Sequence, residues 1–207
     1  MSQVAEMQAG TAVEPAESPL TPESWGKLGM WAFLAGDAVG FGTLLAGYGV
    51  MRATSADWPN PFNVLGINLT AFMTFLLICS SVTMVKALEK VGEGNRRRAQ
   101  LFLILTALGG AIFVGLQAYE WTHLTHQGLH IGGNPWGATL SGTSFFMVTG
   151  FHGLHVSGGV IYLLCVLGAV SRQRDVRAKY NMVEIVGLYW HFVDLVWIMV
   201  FTFMYLL

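Results

Sequence analysis

Five long apolar stretches, separated by short polar or basic segments, organise the chain. A membrane-spanning helix needs roughly 20 apolar residues at about 1.5 Å of rise each. The stretches that reach this length run about Leu28–Met51, Val64–Ala87, Ala99–Thr122, Ala138–Val170 and Val183–Leu206. They predict an all-α fold, an integral membrane bundle of five transmembrane helices within residues 25–207. The fourth stretch is longer than a bilayer requires, so it should tilt or project beyond the membrane. Ahead of the first, MSQVAEMQAGTAVEPAESPLTPES is rich in Ala, Glu, Pro and Ser. It has no basic segment followed by an apolar core, so residues 1–24 read as a disordered cytoplasmic tail rather than a signal peptide.

Composition supports the membrane reading. The 207 residues are 54% hydrophobic and 11% charged, against about 25% charged in a soluble domain. A net charge of −1 gives no sign of a nucleic-acid partner. The chain holds 11 Lys and Arg, and their placement predicts orientation. Lys86, Lys90, Arg96, Arg97 and Arg98 flank the connection between spans two and three. Arg172, Arg174, Arg177 and Lys179 lie between spans four and five, and Lys27 precedes span one. Only Arg52 falls on the opposite side. By the positive-inside rule the N-terminus is cytoplasmic and the C-terminus outside. Trp25, Trp58, Trp121 and Trp136 sit near span ends, as interfacial aromatics do. Cys79 and Cys165 lie in apolar runs and are expected as small buried hydrophobes, not a disulfide pair. Gly36 and Gly40 form a GxxxG in span one, and Gly150, Gly153, Gly158 and Gly159 line span four. Both sets are expected to serve close helix packing within the bundle.

Polar groups inside the spans are the candidate chemistry: Asp37, Glu120, His152, His155, His191 and Asp194, with Glu184 near the inner end of span five. An acid at a helix centre costs roughly 2.5–3.5 kcal/mol on the insertion scale, so such groups should face protein and be paired. Residues three apart share a helix face, so His152 and His155 can address one neighbour, as can His191 and Asp194. Three His and a carboxylate would suit a non-haem iron or zinc site. The alternative is interhelical hydrogen bonding, with Asp194 as acceptor if span five packs on span four. His123, His126 and His130, in THLTHQGLH, are expected in a solvated outer loop, with metal binding as the alternative. Glu120 is either half solvated at the interface or buried and paired. Asp37 lies about ten residues into span one, roughly 15 Å deep. It has no cation one turn away in sequence, so desolvation favours the neutral acid unless another helix or subunit supplies a partner.

GLQAYEW, SFFMVTGFHGLHVSGG and YWHFVDLVWIMVFTFMYL together resemble subunit III of the haem-copper terminal oxidases, from about Lys27 to the C-terminus. The five-span count resembles the short bacterial form of that family, which implies a bacterial inner membrane. The resemblance implies an accessory subunit of a proton-pumping respiratory oxidase that reduces oxygen to water. The complex would be the enzyme. No catalytic, cofactor or metal residue is expected in this chain. Haem and copper would reside in the partner catalytic subunit I, and structural phospholipid would bind between helices. Cytochrome c is the expected electron donor and quinol the alternative. Support of proton uptake and protection of the catalytic subunit are further implied roles. Glu120, His152, His155, His191 and Asp194 match characteristic family positions and become structural ties on this reading. Asp37 stands where the family often has Glu, one methylene longer. Arg96, Arg97 and Arg98 are candidates for lipid head groups. Two other functions compete: an accessory subunit of a nitric oxide reductase, and a free-standing membrane metalloenzyme using His152, His155, His191 and Asp194. Neither explains the length of the last two motifs.

Overall fold

The computed structural model describes residues 25–207; the tail expected over residues 1–24 lies outside the described residues. Among the described residues, five helices are long and apolar enough to cross a membrane. They are α1 (Trp25–Thr54), α2 (Ile67–Gly92), α3 (Arg96–His126), α4 (Thr139–Arg172) and α5 (Tyr180–Phe201). A 3-10 turn, Val176–Lys179, leads into α5, and a π-helical turn, Thr202–Leu206, continues it. At about 1.5 Å per residue, the 34 residues of α4 reach some 50 Å, well beyond a hydrocarbon core of about 30 Å.

Span two begins later than its apolar run suggests. Pro61–Val64 form a separate helical turn whose N-cap, Asn60, accepts from the Phe62 N–H at 3.0 Å. Leu65 is extended, and the spanning helix starts only at Ile67. Proline at the first helical position suits an isolated turn, because its missing N–H would be unpaired there anyway. Span three instead runs longer than its apolar run. Asn95 caps it by accepting from the Arg98 N–H at 3.3 Å. Its far end carries His123 and His126 in the last turn. These histidines are therefore helical rather than in a loop, while His130 follows in the connection and pairs with Gly133. All three are exposed.

Helices α2, α3, α4 and α5 close a ring in which each packs on the next and α5 returns to α2; α1 lies outside it, against α4 and α5. Half of the most apolar window of the last span is buried, against 11% for α1. Lipid is as apolar as leucine, so something other than hydrophobicity must hold the helices together. Close packing is one answer. The Trp190 ring of α5 lies over Gly110 of α3 and Gly159 of α4, where a Cβ would sit 2.3 Å and 2.9 Å from it. Its Nε1 donates to Ser80 Oγ of α2 at 3.0 Å, so one side chain joins all four ring helices. Hydrogen bonds are the other answer. Trp197 Nε1 donates to Thr74 Oγ1 at 2.9 Å, and Thr83 and Thr106 hydroxyls pair at 2.8 Å.

Two expectations about small residues change here. Three of the α4 glycines do serve close packing, Gly150 against Trp121, Gly153 against Gln117 and Gly159 against Trp190, while Gly158 is exposed. Gly36 and Gly40 do not: nothing lies within 4 Å of where their Cβ atoms would be. Cys79 and Cys165 are free, as expected, but exposed rather than buried. The outward face of a membrane helix is as apolar as its inward one, so apolar neighbours in sequence do not indicate burial in protein.

At the end carrying the basic loops, hereafter the basic end, Arg96 donates to the Ser171 carbonyl at the close of α4. Arg177 donates to the Glu93 carbonyl at 3.2 Å. Lys27 of α1 pairs with Glu184 of α5 at 2.8 Å. At the far end, the loops before α2 and α4 meet where Ala138 N donates to Asp57 O at 2.9 Å. Gly137 has φ +152 there, and a Cβ would lie 2.3 Å from the same carbonyl. Only glycine fits that approach.

Candidate functional site

The intramembrane polar residues divide into three separate constellations. The first joins α1 to α4. His155 Nε2 lies 3.1 Å from Asp37 Oδ2, and its ring sits against Phe41 and Phe151, at 5.1 and 4.6 Å between centroids. His155 Nδ1 lies 2.8 Å from the Phe151 carbonyl of its own helix. A carbonyl only accepts, so Nδ1 carries a proton. The Nε2–Oδ2 contact then needs one further proton. It belongs either to an imidazolium facing a carboxylate or to a carboxylic acid donating to a neutral imidazole. In both arrangements the pair holds one exchangeable proton between α1 and α4. Tyr189 of α5 donates to the His155 carbonyl at 2.8 Å, which fixes the backbone behind it. The side chains retain 16% exposure at Asp37 and 10% at His155, so the pair opens to the outside of the bundle.

This arrangement corrects one expectation. The carboxyl facing a span-four histidine is that of Asp37, not Asp194. Asp37 has no partner in its own sequence neighbourhood because its partner comes from a helix more than a hundred residues on.

The second constellation is at the far end of the ring. Glu120 is buried, 3% exposed. Its Oε1 accepts from Thr70 of α2 at 3.0 Å, and its Oε2 accepts from Tyr205 of the π turn at 3.1 Å. This decides the question its position left open: Glu120 is a buried three-way tie. The third constellation lies between α5 and α2. His191 Nδ1 and the Ser81 hydroxyl are 2.6 Å apart. The same hydroxyl interacts with the Asp194 carboxyl. Asp194 Oδ1 is buried without a hydrogen-bond partner.

His152 joins none of them. It is fully buried, and neither ring nitrogen has a partner. Its surroundings are aromatic: Trp197 at 4.9 Å, Phe113 at 5.7 Å and Phe41 at 6.3 Å between centroids. The expected interhelical hydrogen bond is therefore absent at this histidine. The quartet His152, His155, His191 and Asp194 is not assembled as a ligand set. Among the described residues no group of three or more His, Cys, Asp or Glu could hold a metal ion.

Arg97 and Arg98 are exposed at the basic end, as is Arg96 beside its carbonyl partner. The partners Thr70, Thr74, Ser80, Ser81 and Tyr205 were not singled out from sequence. A signal was there: the polar positions of α2 recur at helical spacing along one face, facing the tryptophans of α5.

Residues 30–207 match a family model described as cytochrome c oxidase subunit III. The chain is 35% identical over 180 residues to quinol oxidase subunit 3 of Bacillus subtilis (strain 168), covering 87% of this chain and 86% of that one. It is 33% identical over 180 residues to cytochrome bo(3) ubiquinol oxidase subunit 3 of Pseudomonas putida, covering 87% and 84%. Against probable quinol oxidase subunit 3 of Staphylococcus saprophyticus it is 34% identical over 184 residues, covering 87% and 88%.

Proposed function

Since the chain belongs to the cytochrome c oxidase subunit III family, a multi-pass membrane component of haem-copper oxidase complexes, we propose that it serves as a non-redox accessory subunit. In this role it steadies the catalytic subunit of a proton-pumping oxidase that reduces oxygen to water. The observation that carries the proposal is the family match, which reaches across all five spans. The way its titratable groups are used supports the same reading. Glu120, His155, Asp37 and His191 are engaged in ties between helices, so they hold the bundle in one shape. Haem and copper belong to the partner catalytic subunit. The relatives reported above carry quinol oxidase in their names, so we take quinol, rather than cytochrome c, as the donor to the complex.

The Asp37–His155 pair is the group we assign to proton uptake. It retains one exchangeable proton and is partly exposed at the surface of the bundle. A second subunit packed there could receive that proton without breaking the α1–α4 contact. The basic loops favour a cytoplasmic N-terminus and an outer C-terminus. Exposed Arg97 and Arg98 at the basic end would meet phospholipid head groups on the cytoplasmic side.

Purification in mild detergent tests the proposal. A tagged chain should bring down a haem-containing subunit, seen in the optical spectrum and identified by mass spectrometry. The complex should consume oxygen with quinol. Removing the chain should leave the initial rate nearly intact and shorten activity over repeated turnover. Recovery of the chain alone, or with a complex that reduces nitric oxide but not oxygen, would overturn the reading.

A further inference from the structure

Between α3 and α4, on the outside of the ring, runs a groove of about 280 Å³ lined by Gln117, Ala118, Gly150, Gly153, Leu154 and Ser157 among others. It continues past Ala118 and Trp121 toward the far end. Ala118, Gly150, Gly153 and Ser157 in its walls are small, and small residues admit the backbone of another helix. Besides the Ser157 hydroxyl, which donates to the Gly153 carbonyl at 2.8 Å, and the buried Trp121 Nε1, which has no hydrogen-bond partner, one further polar group lines it. Gln117 is only 4% exposed, and its Nε2 is used by the Thr149 carbonyl at 2.6 Å. Its Oε1 receives no hydrogen bond from a described residue. Room for that oxygen exists because Gly153 has no side chain: a Cβ there would lie 2.7 Å from it.

The depth of this oxygen selects its partner. Trp121 marks the interfacial belt one turn further along α3, so Gln117 sits about 6 Å below it. At that depth hydrocarbon offers no donor, and an unpaired carbonyl is costly. An acyl chain would fill the groove and leave the oxygen unpaired. A second copy of this chain would bring a concave face to a concave face and leave a void. A convex helix with a donor side chain meets both demands. We infer that the α3–α4 groove seats a transmembrane helix of another oxidase subunit, whose Ser, Thr, Asn or Gln donates to Gln117 Oε1. The inference rests on the chain's place in an oxidase complex and adds which face is used.

Photo-crosslinking in native membranes tests it. Ala118→Cys, in a Cys79→Ala, Cys165→Ala background, is labelled with a photoactivatable maleimide in the whole complex. Ile112→Cys, exposed on another face of α3, is the control. Ala118→Cys should capture a membrane-spanning peptide of another oxidase subunit with a donor residue near the adduct, whereas Ile112→Cys should give lipid adducts. The same lipid adducts from both, or capture of a second copy, would overturn the inference. Ala118→Trp fills the groove from an exposed position. It should lower retention of the captured subunit through a detergent wash by about tenfold, or roughly 1.4 kcal/mol, with the chain's own abundance unchanged. Unchanged retention would also overturn it. If the unsubstituted chain still recovers the haem-containing subunit, the accessory-subunit reading survives failure at the groove. If it recovers no oxidase subunit, both fall.

Discussion

Replacing Tyr205 by Phe removes a single oxygen from the far end of the bundle. Tyr205 is fully buried, and its hydroxyl is one of two donors to Glu120, at 3.1 Å. The other is Thr70 at 3.0 Å. Glu120 is 3% exposed, so no solvent replaces the lost donor. Leaving a buried acceptor unpaired costs about 1–3 kcal/mol in soluble proteins. Interhelical hydrogen bonds in membranes average about 0.6 kcal/mol and reach about 1.7. A buried acid with two donors belongs near the top of that membrane range. We therefore expect Tyr205→Phe to destabilise by about 1–2 kcal/mol, roughly tenfold in the unfolding constant. Thr70→Val should cost less. The Thr70 hydroxyl already divides its proton between Glu120 and the Gly66 carbonyl of its own helix, 3.2 Å away. The double substitution should exceed the sum by about 0.5 kcal/mol or more, because it strips the carboxyl of both donors. Unfolding against added SDS in mild detergent, followed by tryptophan emission, provides the readout; Trp197 lies 6.3 Å from the Tyr205 ring. A Tyr205→Phe protein within about 0.3 kcal/mol of the unsubstituted one would refute the reasoning. So would Thr70→Val costing more than Tyr205→Phe.

Three further outcomes follow from the same structure. Gly110→Ala places a Cβ 2.3 Å from the Trp190 ring and 2.8 Å from Val160. It should destabilise by about 1–3 kcal/mol, whereas Gly115→Ala, with open space at its Cβ, should be neutral or slightly stabilising in the same SDS titration. His152→Leu removes two unpartnered nitrogens from an aromatic pocket and should leave the unfolding midpoint unchanged or raised. His155→Leu strands Asp37 and should lower it; equal losses from the two would argue that His152 has a partner. Asp37→Asn keeps a group that can hydrogen-bond His155. It should spare assembly and initial oxygen reduction but slow proton uptake or shorten activity over repeated turnover; wild-type lifetime and proton stoichiometry would reduce Asp37 to a packing residue.

Much of this architecture was present in the order of residues. Helix number follows from apolar length, because a bilayer sets a minimum span and leaves no unpaired backbone inside it. The family was legible too, in the two long motifs of spans four and five. Partnership was not. His152 and His155 are three residues apart on one helix, yet one meets Asp37 and the other only aromatic rings. Glu120 could be buried or solvated until Thr70 and Tyr205, from two other helices, were placed against it. Gly36, Cys79 and Cys165 all sit in apolar runs, and all face outward. The physical reason is common to these cases. In water the burial of apolar surface reveals which face of a helix turns inward, but in lipid both faces are apolar. The inward face is instead selected by close packing and by hydrogen bonds between helices far apart in sequence, and those exist only once the helices have met.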